Sequence, residues 1–126
     1  MSVTVLTVDD QAVFLGAAHE LIDATPGFEE LGQAASGAEA LALAAELGPD
    51  LVLLDVRMPG MDGIETARRL LAADPGIVVV LISTEPRADL PSSLDSAGAA
   101  AYLRKQELSP ASLRRVWEAH GWPRSG

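Results

Sequence analysis

Leu51-Val52-Leu53-Leu54-Asp55 sets four consecutive apolar residues before a single acid, and Val56-Arg57-Met58-Pro59-Gly60-Met61-Asp62-Gly63 follows at once. An apolar run of this length is the pattern of a strand covered on both faces, as in a parallel sheet. The Pro-Gly step then turns the chain. Asp55 is therefore expected at the mouth of a buried strand, at the carboxyl end where open α/β sheets gather ligands and chemistry. A second apolar run, residues 3–8, ends in Asp9-Asp10. If both strands are central and parallel, three carboxylates meet at one edge of the sheet. Such a cluster repels itself and costs stability unless a cation sits there.

Outward from these two runs, the chain alternates between strand-length and helix-period segments. Strands are expected at 3–8, 30–34, 51–54, 77–82 and 100–103, the short and less apolar second one at an edge. Over 11–24, Phe14, Ala17, Ala18, Leu21 and Ile22 make one helical stripe. Ser36-Gly37-Ala38-Glu39 reads as a capping box opening a second helix that stops before Gly48-Pro49. Asp62 caps a third, with Ile64, Ala67, Leu70 and Leu71 turned inward. Pro86 and Pro91 forbid one regular helix across 84–97. That stretch is expected as an irregular loop to about Leu90 and then a short helix, 91–97, ended by Gly98. Ser109-Pro110 opens the last helix, which carries Leu113, Val116 and Trp117 on one side and stops at Gly121. The alternation gives five βα units, and right-handed crossovers make of them an α/β, doubly wound parallel sheet with helices on both faces.

The 126 residues are one domain's worth of chain. Residues 1–121 are expected to be that domain and 122–126 a short C-terminal tail, whose Trp122 docks on the domain or on a partner. The net charge of −9 argues against nucleic acid as a direct partner, because phosphate binding wants a basic face. Absence of cysteine excludes disulfides and thiolate metal sites. No basic leader and no long apolar stretch precede the first strand, which argues against a signal peptide or a membrane span. The expectation is a stand-alone cytoplasmic protein.

The strand ends carry the chemistry. The first two runs give Asp9, Asp10 and Asp55; the fourth strand ends in Ser83-Thr84 and the fifth in Arg104-Lys105. Three acids, one hydroxyl and one ammonium share an edge if all five strands are parallel. Oxygen donors with this excess of negative charge suit Mg²⁺, which binds through one or two carboxylates and keeps several waters for a phosphate to share.

Taken together these residues resemble a response-regulator receiver domain, the aspartate-phosphorylated half of two-component signalling. The resemblance rests on Val8-Asp9-Asp10, on Leu54-Asp55 with Met58-Pro59-Gly60-Met61-Asp62-Gly63, on Ser83 and on Tyr102-Leu103-Arg104-Lys105. It is strongest to receivers of the helix-turn-helix-output subfamily, here without the output domain. It implies a flavodoxin-like five-stranded sheet in the order 2-1-3-4-5. It implies Asp55 as phosphoacceptor from a sensor histidine kinase or phosphotransfer protein. Mg²⁺ would sit on Asp10, Asp55 and the backbone carbonyl of Arg57, with Asp9 acting through a water. Ser83 would bind a phosphoryl oxygen, Lys105 would ion-pair with another, and Tyr102 would be the aromatic switch that follows Ser83. Arg57 and Glu85, two residues beyond Asp55 and Ser83, would flank the phosphoryl group as modulators of its lifetime. The resemblance makes the chain a signalling phosphoacceptor and not an enzyme in its own right. Its downstream partner would be a protein, and a phosphorylation-dependent homodimer is allowed. Gln106 stands where many receivers carry proline after the lysine.

Each motif alone has a plainer reading. Asp9-Asp10 would be a helix cap, Met58-Pro59-Gly60 a turn, Ser83 a loop serine bonded to backbone, Tyr102 core and Lys105 surface. Their joint occurrence at four strand ends favours the site. A phosphatase of the kind that pairs a nucleophilic aspartate with a second acid two positions on does not fit, since Arg57 stands there. A nucleotide-binding fold fails for want of a glycine-rich loop after the first strand. Two relatives of the main reading stay open: a fragment of a DNA-binding transcriptional regulator, and a degenerate receiver that signals by binding alone. His19 and His120 are expected as surface residues with no carboxylate spaced to help them.

Overall fold

The apolar runs become the centre of a sheet. In the computed structural model, which describes residues 2–121, five strands pair in parallel. They are β1 (Val3–Val8), β2 (Phe28–Ala34), β3 (Leu51–Asp55), β4 (Val78–Ser83) and β5 (Ala101–Arg104), in the order 2-1-3-4-5. β3 and β4 are buried at every position, whereas the edge strands β2 and β5 are mostly half-buried. Continuous hydrophobicity in the sequence thus marks the two strands buried throughout; β1, which also has neighbours on both sides, is interrupted by Thr4 and Thr7.

Four α-helices supply that cover: α1 (Ala12–Asp23), α2 (Gly37–Leu47), α3 (Gly63–Ala73) and α4 (Pro110–His120). Strand alternation sorts the core into two layers. Val52, Leu54, Val79 and Leu81 pack with Ala40 of α2 and with Ile64, Ala67 and Leu70 of α3. Leu51, Leu53, Val78, Val80 and Ile82 pack with Ile22 of α1 and with Leu113 and Val116 of α4. α2, α3 and α4 start where short polar side chains capture orphan N–H groups, whereas the Gln11 side chain at the start of α1 makes no such bond. Ser36 Oγ accepts from Glu39 N–H at 3.2 Å, and the Glu39 carboxylate reaches back to the N–H of Ala35, one residue beyond the box partner expected. Asp62 Oδ1 accepts from Glu65 N–H at 2.9 Å. Ser109 and Ser112 exchange side-chain to backbone bonds around Pro110.

Three features differ from the sequence expectation. β2 starts two residues early, at Phe28, because Val3 of β1 pairs with it and its ring joins the α1–α4 core layer. β3, β4 and β5 each extend one residue further, so Asp55, Ser83 and Arg104 are the last residues of strands and not the first of loops. Ladder pairing therefore fixes them: Asp55 sits opposite Ile82, and Ser83 opposite Arg104. The third difference is in 84–97, which holds two 3-10 turns, Arg87–Asp89 and Ser92–Ser96, where a loop and then a short helix over 91–97 were expected. Each turn opens on a proline carbonyl, with Asp89 N–H bonded to Pro86 O and Leu94 N–H to Pro91 O. Leu90, Leu94 and Ala97 still bury against the α2–α3 layer, so packing is kept where a full helix is not. The fourth crossover accordingly lacks an α-helix. The tail expected at 122–126, with Trp122, lies outside the described residues. Among the described residues no helix is long and apolar enough to cross a membrane.

Candidate functional site

Asp9 follows β1 directly and is wholly buried. Its Oδ1 accepts the N–H of Gln11 at 2.8 Å, which turns the chain into α1. Its Oδ2 has no well-aligned hydrogen-bond donor; its partner is the charge of Lys105, with Nζ 2.5 Å away. Asp10 is exposed beside it. Asp55 closes β3 with little of its surface open. One oxygen from each of Asp9, Asp10 and Asp55 lies within 4.8 Å of the others.

Lys105 enters from the other side of the sheet edge, as the first residue of a 3-10 turn after β5, Lys105–Glu107. Only 11% of its side chain is exposed, and Nζ stands 3.8 Å from Asp55 Oδ1. The ammonium also lies over the ring of Phe14, 4.4 Å from its centroid. Burial pushes the Asp55 carboxyl up to about 6, and the charge of Asp9 adds to that; Lys105 and the N–H of Arg57 pull it part of the way back. One buried cation thus only partly offsets three acids. The donor set fits a hard divalent cation: all ligands are carboxylate oxygens, they already converge, and their excess charge is negative.

The loop after Asp55 is folded back tightly on the strand. Val56 N–H bonds to Ile82 O, and Gly63 N–H returns to Val56 O, both at 2.9 Å. A Cβ on Gly63 would lie 2.1 Å from the carbonyl oxygen of Asp55, so the first residue of α3 has to be glycine for the loop to close this way.

Around this centre a second set of residues is joined through Glu85. Ser83 Oγ, buried, accepts the N–H of Glu85 at 3.1 Å. The hydroxyl of Tyr102 donates to the Glu85 carbonyl, and the ring packs against the α2–α3 core layer. Burial raises the Tyr102 phenol above its ordinary range. The Glu85 carboxylate takes two bonds from Arg57, Nε to Oε1 at 2.8 Å and Nη2 to Oε2 at 3.3 Å, and Arg57 Nη2 also donates to the carbonyl of Asp89.

The structure thus gathers Asp9, Asp10 and Asp55 into one cluster, with Lys105 against Asp9 and Asp55, and puts Ser83, Glu85, Tyr102 and Arg57 into one adjoining network. Two contacts were not read from the sequence. Phe14 counted only as a member of an apolar stripe, although its place four residues after Asp10 puts it at the same sheet edge. His19 was expected without a carboxylate, yet its Nδ1 lies 2.9 Å from Oε1 of Glu30, whose side chain is almost buried. Glu30 also takes bonds from Thr7 and Gln33. A register shift between β1 and β2 places Glu30 opposite Val5 and Gly32 opposite Leu6, and this extra residue brings Glu30 and Gln33 to the same side. Local spacing gives no sign of it. The pairing raises the His19 imidazole above its usual range. His120, the last residue of α4, is exposed as expected.

Comparison with known proteins agrees with this geometry. The chain matches the response regulator receiver domain family over residues 5–117. It is 40% identical to the response regulator GacA of Pseudomonas aeruginosa over 103 residues, which are 82% of this chain and 48% of that protein. The chain therefore spans about half the length of the curated relatives it matches. A crystal structure of a LuxR-family two-component response regulator from Aurantimonas sp. superposes with a TM-score of 0.83 at 28% identity, covering 94% of this chain and 84% of that one. The response regulator domain of Thermotoga maritima CheB gives 0.81 at 27% identity, covering 95% and 97%. With the same strand order, the match along nearly the whole chain and the acids at the ends of β1 and β3, the chain belongs to the response regulator receiver domains of two-component systems.

Proposed function

We propose that this receiver takes a phosphoryl group onto Asp55 from a phosphohistidine on a sensor histidine kinase or phosphotransfer protein. The observation that carries the reading is the position of Lys105, a buried cation shared unequally between Asp9 and Asp55 at the mouth of β3. An Asp55 oxygen forms the new P–O bond as the donor's P–N bond breaks, and the leaving nitrogen keeps the electron pair, the imidazole's other nitrogen carrying the ring's proton. Phosphoryl transfer asks for positioning and charge neutralisation more than for covalent help. Asp55 is held by the ladder, and a carboxyl titrating near 6 is largely ionised at neutral pH. Lys105 neutralises one phosphoryl oxygen and Ser83 donates to another.

Asp10, Asp55 and the carbonyl of Arg57 would hold Mg²⁺, with Asp9 acting through a water. The ion, when bound, would offset charge on the phosphoryl oxygens. Signalling follows from Ser83: its movement toward the phosphoryl group pulls on Glu85, and Glu85 holds Tyr102. The output is a change of surface read by a partner protein, so the chain is a phosphoacceptor that assists its own phosphorylation and dephosphorylation. Residues 1–121 form the receiver unit. The greater length of the curated relatives supports a second reading, a receiver attached to a DNA-binding output segment, and the gene read past codon 126 decides between them.

Intact-mass measurement tests the central claim. With phosphoramidate and Mg²⁺ the wild-type chain gains one phosphoryl group, and Asp55→Ala gains none. Equal labelling of the two chains overturns the assignment.

A further inference from the structure

Two acids, Asp9 and Asp55, face the ammonium of Lys105. A third contact is the ring of Phe14, whose centroid lies 4.4 Å from Nζ. Phe14 and Lys105 share the wall of an open groove of about 600 Å³ between α1 and residues 105–108. The lysine side chain is nonetheless only 11% exposed. The ring covers the ammonium on one side. Phe14 itself is half-buried, anchored to the α1–α4 core layer.

We propose that Phe14 is a positioning residue for Lys105, holding its ammonium by a cation–π contact between Asp9 and Asp55 so that it is delivered, already stripped of water, to the phosphoryl group. The inference rests on the phosphoacceptor reading of Asp55 given above. The physical need is specific. Asp9 holds Nζ at 2.5 Å while Asp55 waits at 3.8 Å. An ammonium bound only to Asp9 would have to give up its strongest partner when a phosphoryl group arrives. The face of an aromatic ring attracts a cation without a fixed direction, so Nζ can slide from one carboxylate toward the other and keep the ring as its third contact. An aliphatic side chain of similar bulk would seal the groove equally well and offer no such attraction. Shape and electrostatics make different predictions here, and the two are separable.

The test replaces Phe14 by tyrosine, by leucine and, through an unnatural amino acid, by fluorinated phenylalanines of increasing fluorine number. The readouts are the rate of Asp55 labelling by phosphoramidate with Mg²⁺, the saturating rate and the half-saturating donor concentration taken separately, and the melting temperature. Ring-current shifts of the Lys105 methylene protons report the contact without any phosphodonor. Phe14→Tyr should keep the wild-type rate and the shifted lysine protons. Phe14→Leu should lose the ring-current shift and slow the saturating rate about fivefold, the scale of one partly buried cation–π contact. Labelling should fall stepwise along the fluorinated series while the melting temperature holds, since each added fluorine weakens the ring's negative face and barely alters its shape. A flat rate across that series, with wild type labelled normally, overturns the role of Phe14 and leaves the phosphoacceptor reading standing. A wild-type chain that takes no phosphoryl group overturns both.

Discussion

The guanidinium of Arg57 lies against the carboxylate of Glu85 in a two-point contact, Nε to Oε1 at 2.8 Å and Nη2 to Oε2 at 3.3 Å, linking the loop after β3 to the loop after β4. The bond lowers the Glu85 carboxyl below its ordinary range. Both side chains are substantially exposed, so the pair adds little to stability, and its consequence should be kinetic. Arg57 and Glu85 stand two residues beyond Asp55 and Ser83; if they flank an acyl phosphate on Asp55, the pair stands in the path of the attacking water. Arg57→Ala and Glu85→Ala should each shorten the phosphoryl lifetime by roughly threefold, with unchanged melting temperature, and the double variant should do no worse than either. Unchanged decay in both single variants removes the gate.

Metal-free stability should fall as pH rises from about 4 to about 6. The folded chain holds the Asp55 proton up to about 6, whereas the unfolded chain releases it near the ordinary value of 3.8. Between those limits the folded state binds more protons, so stability is greatest below the lower limit and lost through the upper one. The whole effect amounts to at most about 3 kcal/mol. Urea unfolding in a chelating buffer at several pH values measures it. Asp55→Asn should flatten the curve, and saturating Mg²⁺ should do so too, by binding the ionised cluster. His19 acts at higher pH. Its raised imidazole gives stability that is full below 6.5 and fades as pH rises past the shifted value, and His19→Gln should erase that later decline alone.

The adjacent acids Asp9 and Asp10 should respond oppositely to mutation. Asp9 is fully buried, pairs with Lys105 and holds the N–H of Gln11. Asp9→Ala strands a nearly buried ammonium and should cost about 3 kcal/mol. Asp10 is exposed, and its charge adds repulsion toward Asp55. Asp10→Asn should therefore raise the metal-free melting temperature while abolishing Mg²⁺-dependent labelling. A lower metal-free melting temperature in Asp10→Asn refutes a self-repelling cluster.

What the sequence made legible follows from what each element depends on. β3 and β4 could be read because burial on both faces demands unbroken apolar runs, and every core position in them obeys. Helix starts at Ser36, Asp62 and Ser109 could be read because capping is a local bond between residues three apart. The acid cluster could be read because parallel strands put all their carboxyl ends on one edge. The 3-10 turns at 87–96 were harder: two prolines forbid a helix but do not say what replaces it. Phe14 over Lys105 and His19 on Glu30 join residues far apart in the chain, and the second depends on a register shift that no local pattern records.

The closeness of α3 to the end of β3 yields the sharpest mutational contrast. Glycine inside or at the start of a helix ordinarily costs stability relative to alanine, by about 1 kcal/mol. Gly16, in α1, obeys that rule: a Cβ there meets nothing within 4 Å, so Gly16→Ala should stabilise the fold by about that amount. Gly63 has the same formal claim on alanine and should reverse its sign. Its Cβ would meet Asp55 O at 2.1 Å and Val56 Cα at 2.8 Å, backbone atoms that cannot rotate away. Relief requires shifting α3 or the end of β3, and overpacking of this kind costs roughly 1–3 kcal/mol. The shift falls on Asp55 itself, so Gly63→Ala should also slow labelling by phosphoramidate in molecules that remain folded, whereas Gly16→Ala should leave the rate alone. Thermal unfolding and intact-mass time courses on the two variants decide it. Equal stabilisation by both alanines would mean that the loop after Asp55 does not fold back as tightly as described.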